Sequence, residues 1–155
     1  AVLVGAAMKM GAIIANASIE DQERCYEFGK NLGIAFQLQD DYLDAFGNPE
    51  TFGKQVGGDI IENKKTYLYL KALEFSSEKD QHQLTQLFSS NQTDPKTKID
   101  IVKQIFTASG SSEATQKAIS SYTKTAFEIL KTINISEPKK RILESFGTQL
   151  MSRDV

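Results

Sequence analysis

Three observations mark this sequence as an all-α protein. Apolar residues recur at steps of three and four in every long segment. All three prolines, Pro49, Pro95 and Pro138, stand at loops or helix starts, where a missing N–H costs little. No stretch alternates apolar and polar residues in the manner of a half-buried strand. Antiparallel helices joined by mostly short loops follow from this pattern.

Ala1 to Ala17 is almost entirely apolar. It lacks a basic leader, carries Lys9 in mid-run and is slightly short of the roughly 20 residues of a membrane span. A central helix with neighbours on all sides explains it better. The sequence begins without Met inside this apolar run, which we read as a cut through something larger. Ser18-Ile19-Glu20-Asp21 has the form of a capping box with Asp21 in the acidic position. Cys25, Phe28, Leu32, Ala35, Phe36, Gln39, Tyr42, Leu43 and Phe46 then follow at helical spacing. That run covers roughly 27 residues, about 40 Å of helix. Gly29 and Gly33 lie inside it and cost helix propensity, so a close neighbouring helix is expected against them. Gly47 ends the helix, and Asn48-Pro49 turns the chain.

Residues 47–59 read as a glycine-rich loop and Ile60 to Phe75 as one helix. Further helices are predicted over about 79–89, 96–108, 112–133 and 138–151. The chain has 155 residues, 40% hydrophobic and 25% charged, enough for one domain with a packed core. A formal charge of -2 gives no basic surface for nucleic acid, and Lys139-Lys140-Arg141 reads as a solvated helix start. Cys25 has no partner for a disulfide and reads as a small core residue in a reducing compartment. His82 reads as a surface residue. With one cysteine and one histidine far apart, zinc is not expected.

The informative segment is Asp40-Asp41-Tyr42-Leu43-Asp44, near the end of the long helix. Three carboxylates within about one turn repel each other and face the negative end of the helix dipole. Local stability gives no reason for them, whereas a bound divalent cation would. Asp40 and Asp44 share a face, Asp41 lies about 100° round the helix, and Gln37 is one turn back. Such hard oxygen donors suit Mg²⁺, which takes one or two carboxylates together with substrate phosphate oxygens. Lys54, among glycines in Gly53-Lys54-Gln55-Val56-Gly57-Gly58-Asp59, and Lys64 in Lys64-Lys65-Thr66 supply ammonium groups for a diphosphate. No Gly-x-x-x-x-Gly-Lys-Ser/Thr loop is present, so triphosphate hydrolysis is not the natural reading.

The block from Phe36-Gln37-Leu38-Gln39-Asp40-Asp41-Tyr42-Leu43-Asp44 through Phe46-Gly47, Gly53-Lys54, Gly58-Asp59-Ile60 and Asn63-Lys64-Lys65-Thr66 resembles the second aspartate-rich motif of the trans-isoprenyl diphosphate synthase (polyprenyl synthetase) family. The short-chain members, such as farnesyl and geranylgeranyl diphosphate synthases, are the most similar. Ala1–Ala17, with Gly11-Ala12-Ile13-Ile14, also resembles a helix of that family. Beyond about residue 76 the match is one of helical pattern alone.

The resemblance implies the C-terminal half of the isoprenoid (terpenoid) synthase helical bundle, a single partial domain over 1–155. It implies a Mg²⁺-dependent transferase that condenses an allylic diphosphate with isopentenyl diphosphate. It assigns Asp40 and Asp44 to the metal, with Asp44 acting directly or through water, and Gln37 to a phosphate oxygen or a metal-bound water. Lys54 and Lys64 hold the allylic diphosphate, and Asp40, Lys54 and Lys64 carry the catalysis. Asp41 supports the metal indirectly or faces the other substrate. Phe36 is assigned either to the alkyl chains or to the core, and Asp59 to Lys54 or a metal-bound water. Tyr42 and Leu43 pack, Thr66 caps or packs, and Lys65 is surface. Arg153 is the only candidate for closing over isopentenyl diphosphate, and its role is left open. The full-length protein is expected to be a cytoplasmic homodimer without a membrane span.

The departures are an absent first aspartate-rich motif and absent N-terminal basic residues for isopentenyl diphosphate. The segment is therefore expected to be inactive alone. Two alternatives stay open: a non-catalytic or regulatory helical subunit with a vestigial diphosphate site, and a class I terpene cyclase relative. Product length and allylic preference are not readable from these residues.

Overall fold

A computed structural model describes residues 1–48, 56–89 and 94–152, and most of them are helical. Among them, eight helices run in order: α1 Val2–Ile14, α2 Ile19–Phe46, α3 Gly58–Ile61, α4 Tyr67–Phe75, α5 Glu78–Ser89, α6 Pro95–Ala108, α7 Ser111–Thr132 and α8 Glu137–Met151. No strand occurs among the described residues, and no helix among them is long and apolar enough to cross a membrane.

The residues group into two compact units. The first joins Ala1–Gln39 to residues 118–152. Its core is Phe28 and Leu32 of α2 with Ala126, Leu130 and Ile133 from α7 and its C-terminal end. Cys25 lies half-buried against this core, where burial pushes its thiol up. Glycines set the approach of α1 to α2. A Cβ on Gly29 would stand 2.9 Å from Val4 O, and one on Gly33 would stand 2.7 Å from Ala1 Cα. The close neighbour expected from those two glycines is therefore α1. Lys9, the one charge in α1, pairs with Glu23.

Gly5 and Ala12 of α1 are buried and Met8 packs against the core, while Leu3 is 85% and Ile14 82% exposed among the described residues. The neighbours expected on that apolar face are not among the described residues. The helix ends at Asn16, whose φ of 53° is left-handed. The Asn16 and Ala17 N–H groups bond back to Ile13 and Ala12 carbonyls, which closes the helix as a Schellman cap.

Of the predicted capping box, the Ser18 cap is present, and the return contact from Asp21 goes to the Ser18 hydroxyl instead of its N–H. The Asp21 N–H donates to Ser18 Oγ at 3.1 Å, and Ser18 Oγ donates to Asp21 Oδ2 at 2.9 Å. Asp21 also accepts the Asn134 N–H at 3.0 Å and a bond from Arg24 at 3.1 Å, so it ties the start of α2 to the α7–α8 connection.

The second unit is Asp40–Lys117. In it α6 packs against α3, α4 and α5, and α4 against α5. Leu43, Leu68, Ala72, Leu84, Val102 and Phe106 are buried. The helix predicted from Ile60 to Phe75 is corrected to two, α3 and α4. Asn63 takes φ 58°. Its N–H bonds to Ile60 O at 3.2 Å, and the Lys64 N–H bonds to Asp59 O at 2.9 Å. This is again a Schellman cap, with asparagine in the left-handed position that terminates the helix. Periodicity runs across such a cap without registering it. The predicted helices over 79–89, 96–108, 112–133 and 138–151 are present within a residue or two.

Candidate functional site: the end of α2 and the turn around α3

The last turns of α2 carry Asp40, Asp41 and Asp44, all half-buried. Leu43 and Tyr42 point into the core, as expected of packing residues. The Tyr42 hydroxyl accepts a bond from Gln116 Nε2 at 2.6 Å, and its ring lies against Phe46. The helix stops where the Gly47 N–H closes on Leu43 O at 2.8 Å.

Asp44 is the junction between α2 and α3. Its Oδ2 accepts the Asp59 N–H at 2.9 Å, and its backbone carbonyl accepts the Gly57 N–H. A Cβ on Gly58 would stand 3.2 Å from Asp44 Oδ1, so glycine allows the carboxylate this approach. Gly57 is required on two grounds. Its φ is +87°, and a Cβ there would stand 2.6 Å from Ile99 Cδ1.

Burial pushes the Asp44 carboxyl up. The charges of Asp59 and Asp40 push the same way, while the Asp59 N–H and the Lys64 ammonium pull against them. Asp40 and Asp59 thus add to the cost of charging Asp44, as like charges in a partly desolvated place must.

Lys64 follows the α3 cap and is half-exposed. Its ammonium donates to Asp59 Oδ1 and pairs with Glu62 at 3.0 Å. Its pKa is raised, first by the bond to Asp59 and then by Glu62. The structure therefore brings together Asp44, Asp59 and Lys64, with Asp40 close enough to Asp44 for its charge to be felt. Asp59, assigned in sequence to Lys54 or to a metal-bound water, is seen paired with Lys64. Lys54, Gly53 and Arg153 lie outside the described residues. Gln37 is exposed and Phe36 half-buried, both on α2 before the acidic cluster. Lys65 and His82 are exposed, as expected. Thr66 is the N-cap of α4, without a side-chain capping bond.

The donor set fits a divalent cation. Asp40 and Asp44 offer hard oxygens, and positive charge beside Asp44 would answer the like-charge crowding that raises it. Among the described residues no group of three or more His, Cys, Asp and Glu is placed to hold a metal. A carboxylate pair suits an ion that completes its shell with water and phosphate oxygens.

Sequence reasoning quoted Asn63 without giving it a role and did not single out Lys98. The Lys98 ammonium is buried and donates to Asn63 Oδ1. A signal for it existed, since Lys98, Val102 and Ile105 fall at helical spacing and place a charge in an apolar register.

The polyprenyl synthetase family matches residues 1–106. A short chain isoprenyl diphosphate synthase of Methanothermobacter thermautotrophicus is 34% identical over 142 residues, covering 92% of this chain and 43% of that protein. Among solved structures, a geranylgeranyl pyrophosphate synthase is 49% identical with a TM-score of 0.88, covering 99% of this chain and 48% of that one. A geranylgeranyl pyrophosphate synthase from Corynebacterium glutamicum, complexed with isoprenyl diphosphate and magnesium, is 29% identical with a TM-score of 0.81, covering 93% of this chain and 41% of that one. This chain spans less than half the length of each.

Proposed function

We propose, from the premise that this chain belongs to the polyprenyl synthetase family, that it carries the allylic-diphosphate side of a short-chain isoprenyl diphosphate synthase. The observation that carries this reading is the junction of Asp44, Asp59 and Lys64 beside Asp40. Three acids crowd one helix end, and an ammonium stands next to them.

In this reading Asp40 and Asp44 hold Mg²⁺, with Asp41 supporting from the same turn. The ion, when bound, neutralises negative charge on a diphosphate. Lys64 and Lys54 bind the phosphate oxygens, and Gln37 orients one of them or a bound water. The reaction is prenyl transfer. The allylic C–O bond breaks, its electron pair leaves with the diphosphate, and the isopentenyl double bond forms the new C–C bond. A proton is then lost to the departed diphosphate. Preorganised positive groups at the leaving oxygen lower the barrier to ionisation, because the charge they meet is larger in the transition state than in the ground state. Apolar side chains, Phe36 among them, keep water from the allylic cation. The full-length protein acts as a cytoplasmic homodimer, and the segment described here is inactive by itself.

The test is product formation by the full-length protein from an allylic diphosphate and isopentenyl diphosphate, with and without Mg²⁺. Elongated product that needs Mg²⁺ supports the reading. Tight Mg²⁺-dependent pyrophosphate binding without elongation would point to a vestigial site, and cyclised hydrocarbon would point to a terpene cyclase.

A further inference from the structure

We infer that Lys98 is a positioning residue: from the first turns of α6 it holds Asn63, and through Asn63 the turn that presents Lys64 to the diphosphate. This rests on the reading above.

Lys98 is 4% exposed. Its ammonium donates to Asn63 Oδ1 and lies 5.4 Å from the centroid of the Phe88 ring. Burying an ammonium carries a cost that a methionine or leucine at the same place would avoid, and burial here lowers its hold on the proton. Core packing alone gives no reason for lysine. The bond to Asn63 gives one.

Asn63 is the left-handed residue that closes α3, and Lys64 is the next residue in the chain. The direction of the Lys64 side chain depends on that cap. The Lys64 N–H bonds back to Asp59 O while its ammonium reaches Asp59 Oδ1. A side-chain anchor on Asn63 therefore fixes the loop from which Lys64 extends. The neighbouring residue works at the other end of α3. Ile99 fills the space beside Gly57 that a Cβ would need. Two consecutive residues of α6 thus bracket α3, one at each terminus, and α3 carries Asp59 with the N–H that Asp44 accepts. The start of α6 is itself fixed, since Asp94 accepts the Thr97 N–H at 3.0 Å as its cap.

The probe is Mg²⁺ with inorganic pyrophosphate, measured by titration calorimetry on the full-length protein. Lys98→Met keeps the volume and removes the donor. It is expected to weaken binding about 10-fold, in the range seen when groups supporting a site are lost, without lowering the unfolding midpoint. Asn63→Gly keeps the left-handed cap and removes the acceptor, so it folds even where Lys98→Met does not, and it is expected to weaken binding to a similar extent. The double variant is expected to bind no worse than either single one, because both remove the same contact. The ¹⁵Nζ resonance of Lys64 is expected to move in both variants. Wild-type binding and an unmoved Lys64 resonance in Asn63→Gly, with binding lost in Lys64→Ala, would overturn the role of Lys98 and leave the site intact. Wild-type binding in Lys64→Ala as well would overturn both.

Discussion

Asp21 and Asp44 belong to one helix and meet opposite surroundings at its two ends. Asp21, in the first turn of α2, receives the Asn134 N–H, the Ser18 hydroxyl and the Arg24 guanidinium. These hold its carboxyl below the usual range, the Asn134 N–H most of all. It also faces the positive end of the helix dipole. Asp44, in the last turn, accepts one N–H, is half-buried and has Asp40 and Asp59 nearby, so its carboxyl is pushed up. One end of α2 uses a carboxylate to build structure. The other crowds like charges around a half-buried carboxylate, and it is where we propose that a cation and a diphosphate bind.

The strongest way to break this contrast is Asp40→Ala in the full-length protein. Turnover is expected to fall about 10²–10³-fold, the scale for losing one electrostatic contributor, with circular dichroism unchanged. Near-normal turnover would remove Asp40 from the metal. Next comes ligand-linked stability. At about 100 times its Kd, Mg²⁺-pyrophosphate should stabilise the protein by roughly 2.7 kcal/mol. That corresponds to a rise in Tm of roughly 5–10 °C for a protein of this size, read by calorimetry. Lys64→Ala should remove most of the rise, and an undiminished rise would place the diphosphate elsewhere.

The N-terminal part of α2 gives smaller effects that concern structure alone. Gly29→Ala puts a Cβ 2.9 Å from Val4 O, and the backbone must shift. A loss of about 1–3 kcal/mol is expected, measured by urea unfolding, with pyrophosphate affinity unchanged. For Asp21 the sign follows from its lowered pKa. A carboxyl depressed in the folded state contributes stability above its unfolded pKa of about 3.9, and loses it as pH falls through the folded value. The wild type should therefore lose stability more steeply than Asp21→Asn as pH drops below about 4. Parallel curves would show that the Asn134 and Ser18 contacts do not depend on the charge.

Much of this was legible in the sequence. The apolar steps of three and four gave α2 and α5–α8, and the glycines at 29 and 33 gave a close helix. Three features were not legible, each for a physical reason. The cap at Asn63 preserves apolar spacing on both sides, so one helix was read where two exist. The exposure of Leu3 and Ile14 depends on which neighbours are present, which composition does not record. The pairings of Asp59 with Lys64 and of Lys98 with Asn63 depend on how the chain folds back at α3 and α6. The second spans 35 residues of sequence, and local pattern carries no information at that range.

The central claim is that the Asp44 carboxylate closing α2 is held at a cost that Mg²⁺ and a diphosphate relieve. Asp44→Asn tests it most directly, because the amide keeps an acceptor for the Asp59 N–H while removing the charge. Urea unfolding without metal is measured alongside calorimetric binding of Mg²⁺-pyrophosphate. The account predicts that the variant is more stable than wild type in the metal-free state and has lost most of its affinity. A variant that is less stable, with binding intact, would contradict it.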